Sequence, residues 1–129
     1  MKLDDALGIH ERALQLRARR AEVLAGNIAN ADTPGFKARD FDFHKMMQQE
    51  AGQRQAMRVT DSRHIASAGG LVPDAMLGYR IPLQPSLDGN TVDTQLEHTA
   101  FASNALEYQA SLRFLGGNIK KLMTAIKGQ

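Results

Sequence analysis

The stretch DTQLEHTAFASNALEYQASLRFLGGNIKKLMTAIK, residues 93–127, decides the fold. Its apolar residues Phe101, Ala105, Tyr108, Leu112, Leu115, Ile119, Leu122 and Ile126 alternate four and three apart without a slip. With 43% of the chain apolar, chance filling of those positions in one register has a probability of ~0.1%, so the spacing marks a helical seam. A stripe this narrow has the geometry of coiled-coil packing, in which apolar knobs enter holes on a facing helix. At about 1.5 Å per residue the helix reaches roughly 50 Å, more than the width of a compact domain of this size. It should project, and another helix must cover its stripe.

The only comparable pattern lies at the other end of the chain. Leu3, Leu7, Leu14, Ala21, Leu24 and Ile28 follow the same spacing, with His10 and Arg17 as two polar interruptions. Glu11, Arg12, Arg19, Arg20 and Glu22 fall on the remaining face, most simply a solvated one, or in an assembly a surface for neighbouring chains. The fold class is therefore mainly α: long N- and C-terminal helices packed as a coiled-coil-like pair. A largely irregular central excursion with a short helix and short β-strands joins them. We expect one domain over 1–129, divided into an N-terminal helix (1–30), a turn and excursion (31–92) and a C-terminal helix (93–127).

Composition agrees with thin, helix-on-helix packing, since two Tyr, five Phe and no Trp cannot fill a thick core. Sixteen basic and fourteen acidic residues give a net charge of +2, and the basic residues are scattered, so a phosphate-matching patch for nucleic acid is not expected. The absence of cysteine excludes disulfides, zinc-thiolate sites and thiol catalysis. The N-terminus is charged and lacks the apolar core of a secretory signal, and no membrane insertion is expected.

The first helix ends in Asn27-Ile28-Ala29-Asn30-Ala31-Asp32-Thr33-Pro34-Gly35-Phe36-Lys37. Asn tolerates the left-handed conformation at a helix end, Thr33 is pushed from helical dihedrals by the following proline, and Pro34-Gly35 suits the centre of a type II turn. Asp40 to Glu50 is a shorter helix with Phe43, Met46 and Met47 as buried residues. From Ala51 to Ser86 the periodicity fades among glycines and prolines, leaving a turn of helix near Thr60 to Ser67 and a strand near Tyr79 to Leu83. Asp88 to Asp93 leads into the last helix, with Asp93 or Thr94 as N-cap; Glu97, three residues after Thr94, would complete a capping box.

Chemical motifs fail on inspection. A calcium loop needs an oxygen ligand where Val92 stands and a glycine where Asp93 stands. His10-Glu11 opens a zinc-protease helix motif, but the second histidine is replaced by Leu14. His98 extends the C-terminal seam as an interfacial polar residue, and no nucleophile elbow or phosphate loop is present. We expect no enzymatic activity and no cofactor.

The run from Asn27 through Lys37, with Asn27, Asn30, Thr33, Pro34, Gly35, Phe36 and Lys37 as its signature residues, resembles the bacterial flagellar axial proteins of rod and hook. The continuation Ala38-Arg39-Asp40-Phe41-Asp42-Phe43 is similar to the proximal rod members. So are the stretches from Asp88 to Asp93 and from Asn104 to Leu112. The resemblance covers both terminal thirds. It implies a structural subunit of the basal-body rod, exported unfolded by the flagellar type III apparatus without a cleaved signal and assembled into the shaft that carries motor torque across the periplasm. Implied partners are other copies of the chain, the adaptor FliE, the rod protein FlgC, the remaining rod subunits and the export apparatus. Phe43 and Met47 have the spacing of an export-gate recognition pair, although such a pair also suits simple helix packing. A cytoplasmic helical-hairpin module, such as an export chaperone or regulator, is the competing reading.

Overall fold

The computed structural model describes residues 3–56 and 76–128. Two long helices, α1 (Leu3–Ala29) and α3 (Thr94–Lys127), pack side by side as an antiparallel pair. Between them lie a short strand β1 (Arg39–Asp40), helix α2 (Phe43–Ala56) and a second short strand β2 (Gly78–Tyr79). The strands pair antiparallel, with Arg39 opposite Tyr79 and Asp40 opposite Gly78. The helix expected near Thr60 to Ser67 lies outside the described residues. The expected strand is shorter and starts earlier than read, because Pro82 lacks the N–H that would extend the ladder beyond Tyr79.

Local chemistry sets each boundary. Asp93 caps α3 with extended dihedrals, its carboxylate accepting from the N–H groups of Gln95 and Leu96 at 3.1 and 3.2 Å. The capping box expected from Glu97 does not form, since that side chain turns inward to other partners. At the far end Gly128 adopts φ 68°, and its N–H returns to the carbonyl of Thr124. Helix α2 begins at Phe43 instead of Asp40 because Asp40 is taken up by β1. Asp42 then serves as the cap, its carboxylate accepting from the Lys45 N–H at 3.2 Å.

Helix α1 carries a second apolar line beyond the seam read from sequence. Leu16 is buried with Phe41 and Met46, and Val23, Phe43, Met47 and Leu77 pack against that cluster. One face of α1 therefore meets α3 while another holds α2 and the segment before β2. Burying a large aliphatic or aromatic side chain contributes about 1.5–3 kcal/mol, so this small cluster is what keeps α2 on the pair.

Thr33-Pro34-Gly35-Phe36 closes as a β-turn, the Phe36 N–H donating to the Thr33 carbonyl at 3.3 Å with Gly35 at φ 71°. A Cβ at Gly35 would meet nothing within 4 Å, so the expected loss of about 1 kcal/mol in Gly35→Ala comes from the left-handed backbone alone. Gly116, inside α3 and equally open, should respond with the opposite sign, gaining up to about 1 kcal/mol on substitution by alanine. Paired urea unfolding curves check both; equal shifts of the same sign would contradict this account.

Candidate assembly site

The turn after α1 and the 86–92 segment, 52 to 60 residues apart at their bonded pairs, are laced together in space. The Gly35 N–H donates to the Asp88 carbonyl at 2.8 Å, the Thr91 N–H to the Phe36 carbonyl at 3.0 Å, and the Ala38 N–H to the Thr91 hydroxyl at 2.8 Å. Lys37 reaches across with its Nζ 2.6 Å from the Gly89 carbonyl. Asn90, buried, lies at the centre. Its Nδ2 sits 3.0, 2.8 and 2.9 Å from the carbonyls of Asn30, Ala31 and Thr33, and its Oδ1 accepts from the Val92 N–H at 2.8 Å. The turn after α1 leaves these carbonyls short of partners, and a side chain about sixty residues further on supplies the donors. Ser86 Oγ and the Asn90 N–H both donate to the Asp88 carboxylate, holding its pKa below the usual carboxylate value.

The asparagines of the first helix act by hydrogen bonding rather than by left-handed backbone, since no non-glycine residue among those described has positive φ. Asn30 Nδ2 donates to the Gly26 carbonyl at 2.8 Å, and its Oδ1 accepts from the Thr33 hydroxyl at 3.2 Å. Asn27, buried, donates to the Arg39 carbonyl at 2.7 Å and to Glu97 Oε2 at 3.1 Å, while its Oδ1 accepts from the Arg39 N–H at 3.1 Å. Through Asn27 the end of α1 is tied both to β1 and to the start of α3.

Glu97 is 0% exposed and belongs to a four-charge clasp. Its Oε1 lies 3.2 Å from Arg80 Nη1, and Arg80 Nη2 lies 2.7 Å from Asp40 Oδ2. Arg20 meets the same Asp40 carboxylate with two parallel bonds of 3.1 Å, and that hydrogen bonding raises the Arg20 pKa. Two guanidiniums and two carboxylates balance in charge and join α1, β1, the residue after β2 and α3. Removing one member of such a group leaves another charge buried without its partner, and that penalty is what makes the clasp hold these elements together.

Along the hairpin α1 and α3 meet through polar as well as apolar groups. Asn104 Nδ2 donates to the Arg17 carbonyl at 2.9 Å, Arg17 forms an ion pair with Glu107, and Asn118 Nδ2 lies 3.3 Å from His10 Nε2. The polar interruptions of the N-terminal seam are thus met by polar residues opposite. The covered line on α3 runs through Glu97, Asn104, Tyr108, Leu115, Asn118 and Leu122. Of the seam read from sequence, Tyr108, Leu115 and Leu122 lie on it, whereas Phe101, Ala105, Leu112, Ile119 and Ile126 are exposed. Leaving buried Asn27 without its partner would cost about 1–3 kcal/mol, and half-buried His10 and Arg17 less, which favours a rotation of α3 toward its polar line. On α1, Leu24 is buried and Leu7, Leu14, Ala21 and Ile28 are half-buried; the Leu3 side chain lies outside the described ones.

Phe43 and Met47 both point into the α1–α2 contact, with the Arg17 guanidinium 4.0 Å above the centre of the Phe43 ring. Pro34, Gly35 and Lys37 are exposed and Phe36 half-buried at the surface of the turn. Sequence reasoning missed Arg20, Asp40, Arg80 and the inward role of Glu97; the even spacing of charges along the chain carried no signal for them. Asn90 was visible only as part of the polar turn before α3. Among the described residues no group of three His, Cys, Asp or Glu side chains could hold a metal ion, and no helix is long and apolar enough to cross a membrane.

Residues 7–37 match the family model for the flagella basal body rod protein. Over nearly the whole chain the similarity extends to curated relatives named flagellar basal body rod protein FlgB. The Escherichia coli K12 protein is 52% identical, with 98% of this chain and 96% of the relative aligned. The Aeromonas hydrophila protein is 47% identical over 100% and 98%. A Cereibacter sphaeroides protein is 48% identical over 97% and 96%. Identity at this level across both terminal helices, the signature turn and the segment that clasps it means that the chain belongs to the FlgB family of flagellar basal body rod proteins.

Proposed function

We propose that this chain is a structural subunit of the flagellar basal-body rod. The observation that carries the reading is the near-full-length identity to rod proteins from several bacteria. A helical hairpin that leaves Phe101, Leu112, Ile119 and Met123 of α3 exposed suits a subunit that packs against neighbours. The chain acts as a structural protein and not as an enzyme. The cytoplasmic binding module is not favoured, since 98% of the chain aligns with a rod relative at 52% identity.

In this reading residues 1–129 form one rod-core unit near the base of the rod. The chain is made in the cytoplasm, leaves through the flagellar type III apparatus without a cleaved signal, and takes its place in the periplasmic space beside FliE, FlgC and the other rod subunits. Phe43 and Met47 serve recognition at the export gate while the chain is unfolded, because folding packs both against α1. The signature residues Asn27, Asn30, Thr33, Pro34, Gly35, Phe36 and Lys37 shape the turn, and the seam residues of both helices hold the assembly together.

Mass spectrometry of purified hook and basal-body particles, from cells with the gene intact and deleted, tests the assignment. A stoichiometric component whose loss leaves rings without a rod supports it; absence from particles that assemble normally overturns it. Leu115→Asp is a sharper probe. It puts an unpaired charge into the half-buried line between α3 and α1, and incorporation should fall to background while export continues. Normal incorporation would remove the helix pair as the assembly element.

A further inference from the structure

We infer that the Asp88-Gly89 peptide is a site of aspartate isomerisation, closed by the folded turn and opened whenever the 86–91 segment comes away from the end of α1. It is the one Asp-Gly pair in the chain, and no Asn-Gly pair occurs.

Glycine has no side chain to hinder its own nitrogen, so in an open chain the Gly89 nitrogen can attack the side-chain carboxyl carbon of Asp88. A C–N bond forms, the protonated carboxyl gives up its hydroxyl, and with the amide proton one water leaves as a five-membered succinimide closes. Water then reopens the ring. Addition at the former side-chain carbon restores aspartate. Addition at the former main-chain carbon leaves the chain running through the side chain, with a free α-carboxylate and one extra backbone atom. The water lost in the first step is regained in the second, and no oxidant or reductant takes part.

The turn needs glycine at this position, because Gly89 has φ 76°, in the left-handed region. The same turn restrains the pair it requires. The Gly89 N–H donates to the Ser86 carbonyl at 3.1 Å, and Lys37 Nζ holds the Gly89 carbonyl at 2.6 Å. Ser86 Oγ and the Asn90 N–H donate to the Asp88 carboxylate and favour its ionised form, whereas ring closure needs the protonated one. To bring the Gly89 nitrogen onto the side-chain carbon, either the carboxylate turns out of these bonds or the peptide turns. The second movement also breaks the 2.8 Å bond from the Gly35 N–H to the Asp88 carbonyl. Asp88 is exposed, so hydrogen bonds and not burial keep the site closed. In the isomer, the extra backbone atom shifts Asn90 off its register against the carbonyls of Asn30, Ala31 and Thr33, and a chain isomerised while open cannot close the turn again.

The full-length chain is incubated at neutral pH in buffer and in concentrated urea. Trypsin releases residues 81–113 as one peptide, in which the β-linked form is separated by chromatography and located by electron-transfer fragmentation. Isoaspartate at position 88 should accumulate in urea and form about tenfold or more slowly in buffer, because a reaction that needs local opening is slowed by the opening equilibrium. Lys37→Met, an exposed change away from the helix pair, should speed the reaction in buffer and leave the urea rate unchanged. Asn90→Ala should speed it further in buffer, with circular dichroism separating local opening from general unfolding. The isolated isomer should melt below the parent. Equal rates for the parent in buffer and in urea overturn the inference, as does absence of the isomer from both. So does an undiminished yield from Asp88→Glu, which cannot close the five-membered ring and would place the isomer at Asp93 instead.

Discussion

Replacing Glu97 with alanine should lower the unfolding free energy by about 3 kcal/mol, as expected when one member of a buried ion pair is removed and its partner stays behind. Glu97 is fully buried, its two oxygens facing Arg80 and Asn27. Without it the Asn27 amide loses one acceptor and Arg80 keeps only Asp40, leaving the clasp with two guanidiniums on one carboxylate. Glu97→Gln retains the shape and an acceptor for Asn27, and should cost about half as much. Urea unfolding followed by far-ultraviolet circular dichroism measures both. A loss below about 0.5 kcal/mol for the alanine variant would show that Arg80 and Asn27 find other partners and that the clasp does not lock α3 to α1.

The second large effect is expected from a change of one functional group. Asn90→Asp turns a donor facing three carbonyl oxygens into a carboxylate facing them, in a position with little access to water. The carbonyls of Asn30, Ala31 and Thr33, in the turn after α1, lose the two N–H donors they share, those of Asn30 and Thr33 keeping the Thr33 and Phe36 N–H groups, and a negative charge is added near the end of the helix where the macrodipole already places negative charge. We expect a loss of about 3 kcal/mol or more, read as a fall in melting temperature of roughly 10 °C for a chain of this size. Asn90→Ala removes the donor without adding the charge and should lie between the parent and the aspartate variant. If the two variants melt together, the charge is relieved by movement of the 86–91 segment and the capping account fails. If neither differs from the parent, the carbonyls of Asn30, Ala31 and Thr33 are satisfied by water and Asn90 is dispensable.

Both residues lie at one end of the hairpin, and that placement bears on assembly. Among the described side chains, the buried ones of α1 and α3 lie at or between Leu16 and Asn27 on the first helix and at Glu97 and Asn104 on the second. Toward the other end α3 exposes Leu112, Phe114, Ile119, Met123 and Ile126. The clasp therefore fixes the relative position of the helices where the chain turns, while the opposite arm keeps apolar surface for neighbours. Weakening the clasp should disturb incorporation through misalignment of the helices even where the exposed flank is untouched.

Much of this was legible in the sequence because the signals are local. The period of apolar residues over 93–127 and 3–28 marks two long helices, since only helical geometry brings residues three and four apart onto one side. Thr33-Pro34-Gly35-Phe36 forms the turn its residues demand, and Asp93 caps the helix that follows it. Each outcome depends on a few consecutive residues and on backbone sterics.

Other features were decided only by the packed chain. Periodicity marks an apolar stripe on α3 but not how far that stripe turns toward α1, because the stripe is indifferent to whether one helix or two cover it. That rotation accords with buried Asn27 and half-buried His10 and Arg17, whose side-chain partners Glu97, Asn118 and Glu107 lie 70 or more residues away. The charges of Arg20, Asp40, Arg80 and Glu97 likewise meet across four separate elements, and nothing in their own neighbourhoods foretells it. Helix and turn formation is a property of short segments, and the sequence by itself determined it. The choice of face depends on desolvated polar groups meeting partners from distant parts of the chain, which only the tertiary structure brings together.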